Sequence, residues 1–281
     1  MTDATQSFWD APYALPVDTT AAIEIGPLRL WLERREHEWR AIAARHDPLA
    51  EPASAVHLPA PTAAPANGHA TRYAAPPEHS HFTLKPRLAD RPVVVRPDTP
   101  LRILPGCDVD VLVSTPVWVA VFLSSQASEG RALRRPVTAL GSDELELFEL
   151  PVVRPSDTWF GPNTLEGELA YISKTSARLA FNELPLRAGR AVTRIRVRNR
   201  TLEPMTIERV LLPAPELQLY VDPASNIWTQ AVDVELKGNG VADIRYLPGP
   251  PLHAPTAVPI GQPRRIEHKH LLVRALSAFW S

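Results

Sequence analysis

The chain of 281 residues holds 31 prolines and only 12 glycines, roughly twice the usual share of proline and less than the usual share of glycine. Interior proline costs a helix about 3 kcal/mol, so a mainly helical chain is excluded and glycine-rich phosphate loops are not a theme. Thirty basic residues face 31 acidic ones, a formal net charge of −1, and no global charge draws the chain to nucleic acid or an anionic membrane surface.

Residues 1–12 lack the apolar run of a signal peptide, and no window holds 18 consecutive apolar residues as a membrane span needs. The lone Cys107 allows neither an intramolecular disulfide nor a cysteine-built zinc site. These features predict a soluble cytoplasmic protein in a reducing compartment. Between Gly106 and Asp108, Cys107 reads as part of a turn before a strand rather than as a nucleophile.

Ile23 and Ile25 alternate, Gly26-Pro27 marks a turn, and Leu28, Leu30 and Leu32 alternate again. A helix over 28–45 would align Leu28, Trp31, Leu32, Trp39 and Ile42, whereas a hairpin would turn at Arg34 to His37. The alternation favours strands. A ribbon over 1–46 is too small to stand alone and is expected to join the main sheet. Residues 47–77 contain seven prolines and ten alanines with no period, the composition of a flexible, poorly ordered linker, and they fit a loop within one domain as well as a domain boundary.

From residue 78 onward the pattern is strand after strand. Apolar or alternating runs cover 81–84, 93–95, 109–113, 117–123, 145–150, 168–172, 192–197, 205–212, 217–221, 227–236 and 241–246, with prolines between them. Proline at turns and edges between short strands is the pattern of an all-β, antiparallel β-sandwich, here one domain over 78–281 or two packed subdomains. Only the tail differs: Leu272, Ala275, Leu276 and Phe279 suit one short C-terminal helix, while Leu271, Val273 and Ala275 equally suit a last strand.

Three constellations could carry chemistry. Asp157, Trp159, Phe160 and Asn163, followed by Glu166 and Glu168, place aromatics beside carboxylates. That set reads first as a turn and core element and second as a ligand or partner surface. Paired carboxylates with exposed Trp118, Trp159 or Trp228 would instead suit a carbohydrate-binding or glycoside-processing protein. Arg190, Arg194, Arg196, Arg198 and Arg200 recur at every second position or a multiple of it, a stripe able to contact an anion. Cross-strand pairing with acids such as Glu144 and Glu146 explains the stripe equally well. His79 and His81, with His268 and His270, are two His-X-His pairs and weak candidates for a metal. No nucleophile elbow, phosphate loop, dinucleotide fingerprint or HExxH motif occurs, and no cofactor is implied.

The segments IGPLRLWLERREHEW, PRLADRPVVVRP, STPVWV, RPSDTWFGPNTLEGELAY, LPAPELQLY and IWTQ together resemble an uncharacterised prokaryotic all-β family, domain of unknown function 432. The SDTWFG block is the specific part of the likeness, which covers most of the chain outside 47–77. The resemblance implies no established activity. It implies an accessory role beside small-conductance mechanosensitive channels, so the expectation is a non-catalytic interaction module whose partner is another protein and not a nucleic acid.

Overall fold

The computed structural model describes residues 8–46, 54–66, 68–125, 144–161, 163–175, 178–181, 185–237, 242–266 and 272–273. Their strands, in chain order, are β1 (Pro12–Ala14), β2 (Thr19–Ile25), β3 (Leu28–Arg34), β4 (Glu38–Arg45), β5 (Ser54–His57), β6 (Thr71–Ala74), β7 (His79–Arg87), β8 (Val93–Pro97), β9 (Leu101–Ile103), β10 (Asp108–Pro116), β11 (Trp118–Ser125) and β12 (Leu145–Pro151). There follow β13 (Ser156–Phe160), β14 (Glu168–Thr175), β15 (Arg190–Asn199), β16 (Met205–Ile207), β17 (Val210–Leu212), β18 (Leu219–Val221), β19 (Ile227–Thr229), β20 (Val232–Leu236), β21 (Ala242–Tyr246), β22 (Val258–Pro259) and β23 (Leu272–Val273). A 3₁₀ turn spans Ala214–Glu216. The all-β class read from the prolines is what the chain adopts. Among the described residues no helix is long and apolar enough to cross a membrane.

Residues 28–45 form a hairpin and not a helix. Gly26, at φ +53°, and Pro27 make the two-residue turn that places Ile25 opposite Leu28, a turn whose twist matches that of the paired strands. The next reversal falls at Arg35–His37, with the Arg35 amide donating to the Glu38 carbonyl at 2.8 Å. Rather than extending the main sheet, β2, β3 and β4 form the centre of a five-stranded sheet ordered β5-β2-β3-β4-β6. Among the described residues of the N-terminal segment, β1 is the strand that joins another sheet, pairing with β7.

Both edges of that five-stranded sheet come from the Ala/Pro-rich stretch. β5 pairs with β2 and β6 with β4, and the Trp31 indole donates to the Thr62 carbonyl between them at 3.2 Å. This corrects the expectation of a stretch without structure. An edge strand needs hydrogen bonds on one side only, and four residues free of proline suffice, with the prolines confined to the connection.

The other sheets are β1-β7-β11-β12, β13-β14-β8-β17, β16-β9 and an eight-stranded assembly centred on β15. Most pairings are antiparallel, but β14–β8, β15–β19 and β15–β20 are parallel. Among the described residues, the chain between these paired strands passes through further strands and no α-helix. One edge of β15 carries β10; the other carries β19 beside Ala191 and Val192 and then β20 beside Ile195 to Asn199. β23 pairs with β21, in line with a final strand, and the rest of the segment from His268 to Trp280 lies outside the described residues.

Inward-facing side chains of all these sheets meet in one continuous core that includes Trp39, Phe82, Val95, Ile103, Val121, Ile195 and Leu236. Trp39 of β4 packs edge-to-face on Phe82 of β7, with centroids 6.4 Å apart, so the N-terminal sheet is fastened to the second sheet by aromatic packing.

Candidate functional site: the β13–β14 hairpin and the arginine strand

The SDTWFG block is β13 with the start of its loop, and β14 returns beside it. Asp157 pairs with Tyr171, Trp159 with Leu169 and Phe160 with Glu168. Side chains alternate along a strand, so Asp157, Trp159, Leu169 and Tyr171 share one face, and Phe160, Glu168 and Ala170 share the other. Phe160 is buried with Val94, Ala170 and Leu211, and the Arg209 guanidinium lies 5.7 Å from its ring centroid.

Two glycines set the loop. A methyl group on Gly161 would lie 2.0 Å from the Glu166 carbonyl oxygen, and one on Gly167 would lie 2.5 Å from the Phe160 carbonyl oxygen. The backbones therefore touch where any other residue would force them apart. Asn163 finishes the turn: its Oδ1 accepts from the amides of Leu165 and Glu166 at 2.8 and 2.9 Å, and its carbonyl accepts from the Trp159 indole at 2.8 Å. The indole is thereby fixed while remaining 43% exposed, next to Leu169 at 46% and Leu165 at 93%.

A polar cluster borders this apolar tip. Arg91 donates to Asp157 at 3.1 Å and lies over the Tyr171 ring at 5.3 Å, while the Tyr171 hydroxyl donates to Asp90 at 3.0 Å. Burial and then the Asp90 carboxylate push the Tyr171 hydroxyl above its ordinary pKa. Desolvation raises the Glu168 carboxyl above the usual glutamate range, with Arg265 opposing and Glu216 adding to the rise.

Asp157 and Glu168 do not form the carboxylate pair of a glycosidase. Asp157 and Glu168 project from opposite faces of the hairpin, and Glu166 lies in the loop outside the strand. Trp118 and Trp228 are buried, at 8% and 2% exposure, and Trp228 spends its indole N–H on Asp222 at 3.0 Å. Neither offers a sugar platform beside Trp159.

The arginine stripe lies on β15 and is largely neutralised. Asp110 of β10 accepts from Arg194 at 3.0 and 2.7 Å and from Arg196 at 2.8 and 3.2 Å. Arg198 binds Asp233 of β20 at 2.7 Å, and Arg200 binds Asp108 at 2.9 Å. Cross-strand pairing is thus observed, but with other acids than those expected. Glu144 and Glu146 belong beside a different sheet and pair with Lys85 and Arg87 of β7. The overlooked partners had a sequence signal in the alternating Asp108-Val109-Asp110, which matches the arginine period.

Of the histidines, His81 is buried with Nδ1 2.9 Å from the Ser80 hydroxyl, and the Nδ1 of His79 is buried without a hydrogen-bond partner. His268 and His270 lie outside the described residues. Among the described residues no group of three or more His, Cys, Asp or Glu could hold a metal. Cys107 is exposed in the turn after Leu104.

No curated protein and no solved structure matches the chain. A family model described as Protein of unknown function (DUF432) matches residues 11–279. That match runs through the five-stranded sheet, the SDTWFG hairpin and the arginine strand alike, and the chain belongs to this family.

Proposed function

We propose that the chain is a non-catalytic cytoplasmic binding module that holds a protein partner on the outer face of the β13–β14 hairpin. The observation that carries this reading is the cross-strand pair Trp159–Leu169, half-exposed on a hairpin whose loop is fixed by backbone contact and by Asn163. A rigid tryptophan flanked by aliphatic side chains and rimmed by charges is the usual composition of an interface anchor. The indole loses little conformational entropy on binding because its N–H is already bound. The family resemblance makes a small-conductance mechanosensitive channel subunit the first partner to try.

The test is co-purification of the full chain with that channel subunit, with a photo-crosslinker at position 165 to map the contact. The double variant Trp159→Ala, Leu169→Ser, checked for an unchanged thermal transition, is expected to lose the partner. A folded double variant that still retains the partner would place the interface elsewhere.

A further inference from the structure

The hydrophobic core encloses a cavity of about 330 Å³ where β8 ends and the chain turns into β9. Its walls are inward-facing side chains of β8, β10 and β15. Val111 and Val113 of β10 stand beside Ile195 and Val197 of β15, and Val95 of β8 forms a further wall. All five are buried, at 7% exposure or less.

The space follows from the choice of side chain. Facing sheets lie about 10 Å apart, and their side chains ordinarily interdigitate until few voids are left. Valine reaches only to its γ-carbons, and its stiff χ1 cannot swing a longer arm into the gap. Elsewhere in the same core Trp39 and Phe82 fill the interior. Among the described residues no aromatic side chain lines the cavity.

The mouth is polar and stands at the surface. Asp98 and Thr99 line it and are exposed between Pro97 and Pro100, and proline at both ends restricts the backbone of this connector. Arg178 and the half-exposed Leu179 line the cavity as well. Arg178 is anchored by exchanging both backbone hydrogen bonds with Leu112, at 2.8 and 3.0 Å. Its Nε is buried without a hydrogen-bond partner, a costly state for a charged donor. Among the described residues no ion pair joins Arg178 to Asp98, and the two charges sum to zero.

Apolar walls with a few polar groups at one end are the usual build of a small-molecule site. An apolar cavity of about 150 Å³ suffices for benzene, so this one takes a body of roughly eight to twelve non-hydrogen atoms. We propose that the cavity binds an apolar molecule of that size with an uncharged polar end, of the class of a medium-chain alcohol. The hydrocarbon lies against the valines and the hydroxyl sits at the mouth, where it can accept from Arg178 or donate to Asp98. A carboxylate would be opposed by Asp98 and an ammonium by Arg178. The site does not include the outer face of the β13–β14 hairpin and stands or falls independently of it.

The experiment titrates the full chain with n-octanol and with octanoate by calorimetry, in parallel with thermal unfolding. Octanol is expected to bind saturably and to raise Tm as its concentration grows, and octanoate to bind severalfold more weakly. Val113→Phe, which puts a ring into the space, is expected to weaken octanol binding about 10-fold or more while the free chain keeps or gains Tm. Val95→Leu fills less of the space, is expected to weaken binding severalfold, and carries the test where Val113→Phe does not fold. Leu202→Ser, which alters an exposed apolar residue outside the cavity, is expected to leave binding unchanged. No saturable binding of octanol by the parent chain, or binding weakened no more by the two filling variants than by Leu202→Ser, would overturn the site. Tighter binding of octanoate than of octanol would overturn the uncharged end.

Discussion

Asp110 stands opposite Arg196 in the β10–β15 ladder and diagonal to Arg194, and its carboxylate binds both guanidinium groups. Arg194 is only 4% exposed, whereas Asp110 is 37% exposed. The aspartate is thus the means by which a buried arginine is tolerated in the middle of a sheet.

Removing that carboxylate should cost stability through Arg194, not through Asp110 itself. Asp110→Asn is expected to lower the unfolding free energy at neutral pH by about 2 kcal/mol, moderated by the solvent access of the pair. Burial acts to raise the Asp110 carboxyl, but hydrogen bonds from Arg196 and Arg194 outweigh it and hold its pKa below the usual aspartate range. Its stabilisation is therefore present above the ordinary aspartate pKa and is lost as pH falls through the depressed one. Urea titrations of parent and variant should converge in strong acid; a pH-independent gap would exclude the ion pair as the cause.

Glu168 predicts the opposite sign. Its carboxyl is raised by desolvation and by Glu216, so ionisation is disfavoured in the folded chain. The fold is relatively more stable below the ordinary glutamate pKa and gives up that advantage as pH rises through the raised value. Glu168→Gln should raise the denaturation midpoint slightly at neutral pH, by roughly half a kcal/mol given the exposure of the site. At low pH the two proteins should unfold alike.

Gly161→Ala tests the hairpin loop. A methyl group 2.0 Å from a backbone oxygen cannot be accommodated by side-chain rotation, so the two arms of the loop must separate. A loss of about 1–3 kcal/mol is expected, with a shift of Trp159 fluorescence as its hydrogen bond to Asn163 is disturbed. An unperturbed spectrum would mean that the loop holds its shape by other contacts.

Trp39→Ala asks whether the N-terminal sheet folds with the rest. Trp39 is 1% exposed and meets Phe82 across the boundary between two sheets. A cost of about 3–5 kcal/mol is expected, appearing as a lower midpoint of a single cooperative transition monitored by both circular dichroism and fluorescence. Two separated transitions would show that the sheets unfold independently.

The strands were legible because alternation is local. Leu28, Leu30 and Leu32 alternate whether or not their partners are known, and the Gly26-Pro27 turn announces itself in the same few residues. The edge strands Ser54–His57 and Thr71–Ala74 were not legible, because four residues in an Ala/Pro-rich stretch become strands only when β2 and β4 offer them hydrogen bonds. The SDTWFG block was visible as a distinctive motif. Its two faces depend on the return of β14, which sends Asp157 and Glu168 to opposite sides and so decides against a carboxylate pair.

By itself the amino-acid sequence determined an all-β chain broken by proline, because a missing N–H and a fixed φ act wherever the residue stands. It also determined that β15 carries a stripe of arginines, since side-chain alternation follows from the strand alone. Only the tertiary structure decided which of those charges remain available. Asp108, Asp110 and Asp233 reach the stripe from β10 and β20 through ladder register, whereas Arg190 at the other end of β15 is bound to Ser114 of β10. Charge compensation depends on pairings between strands distant in the chain, and local periodicity contains no record of them.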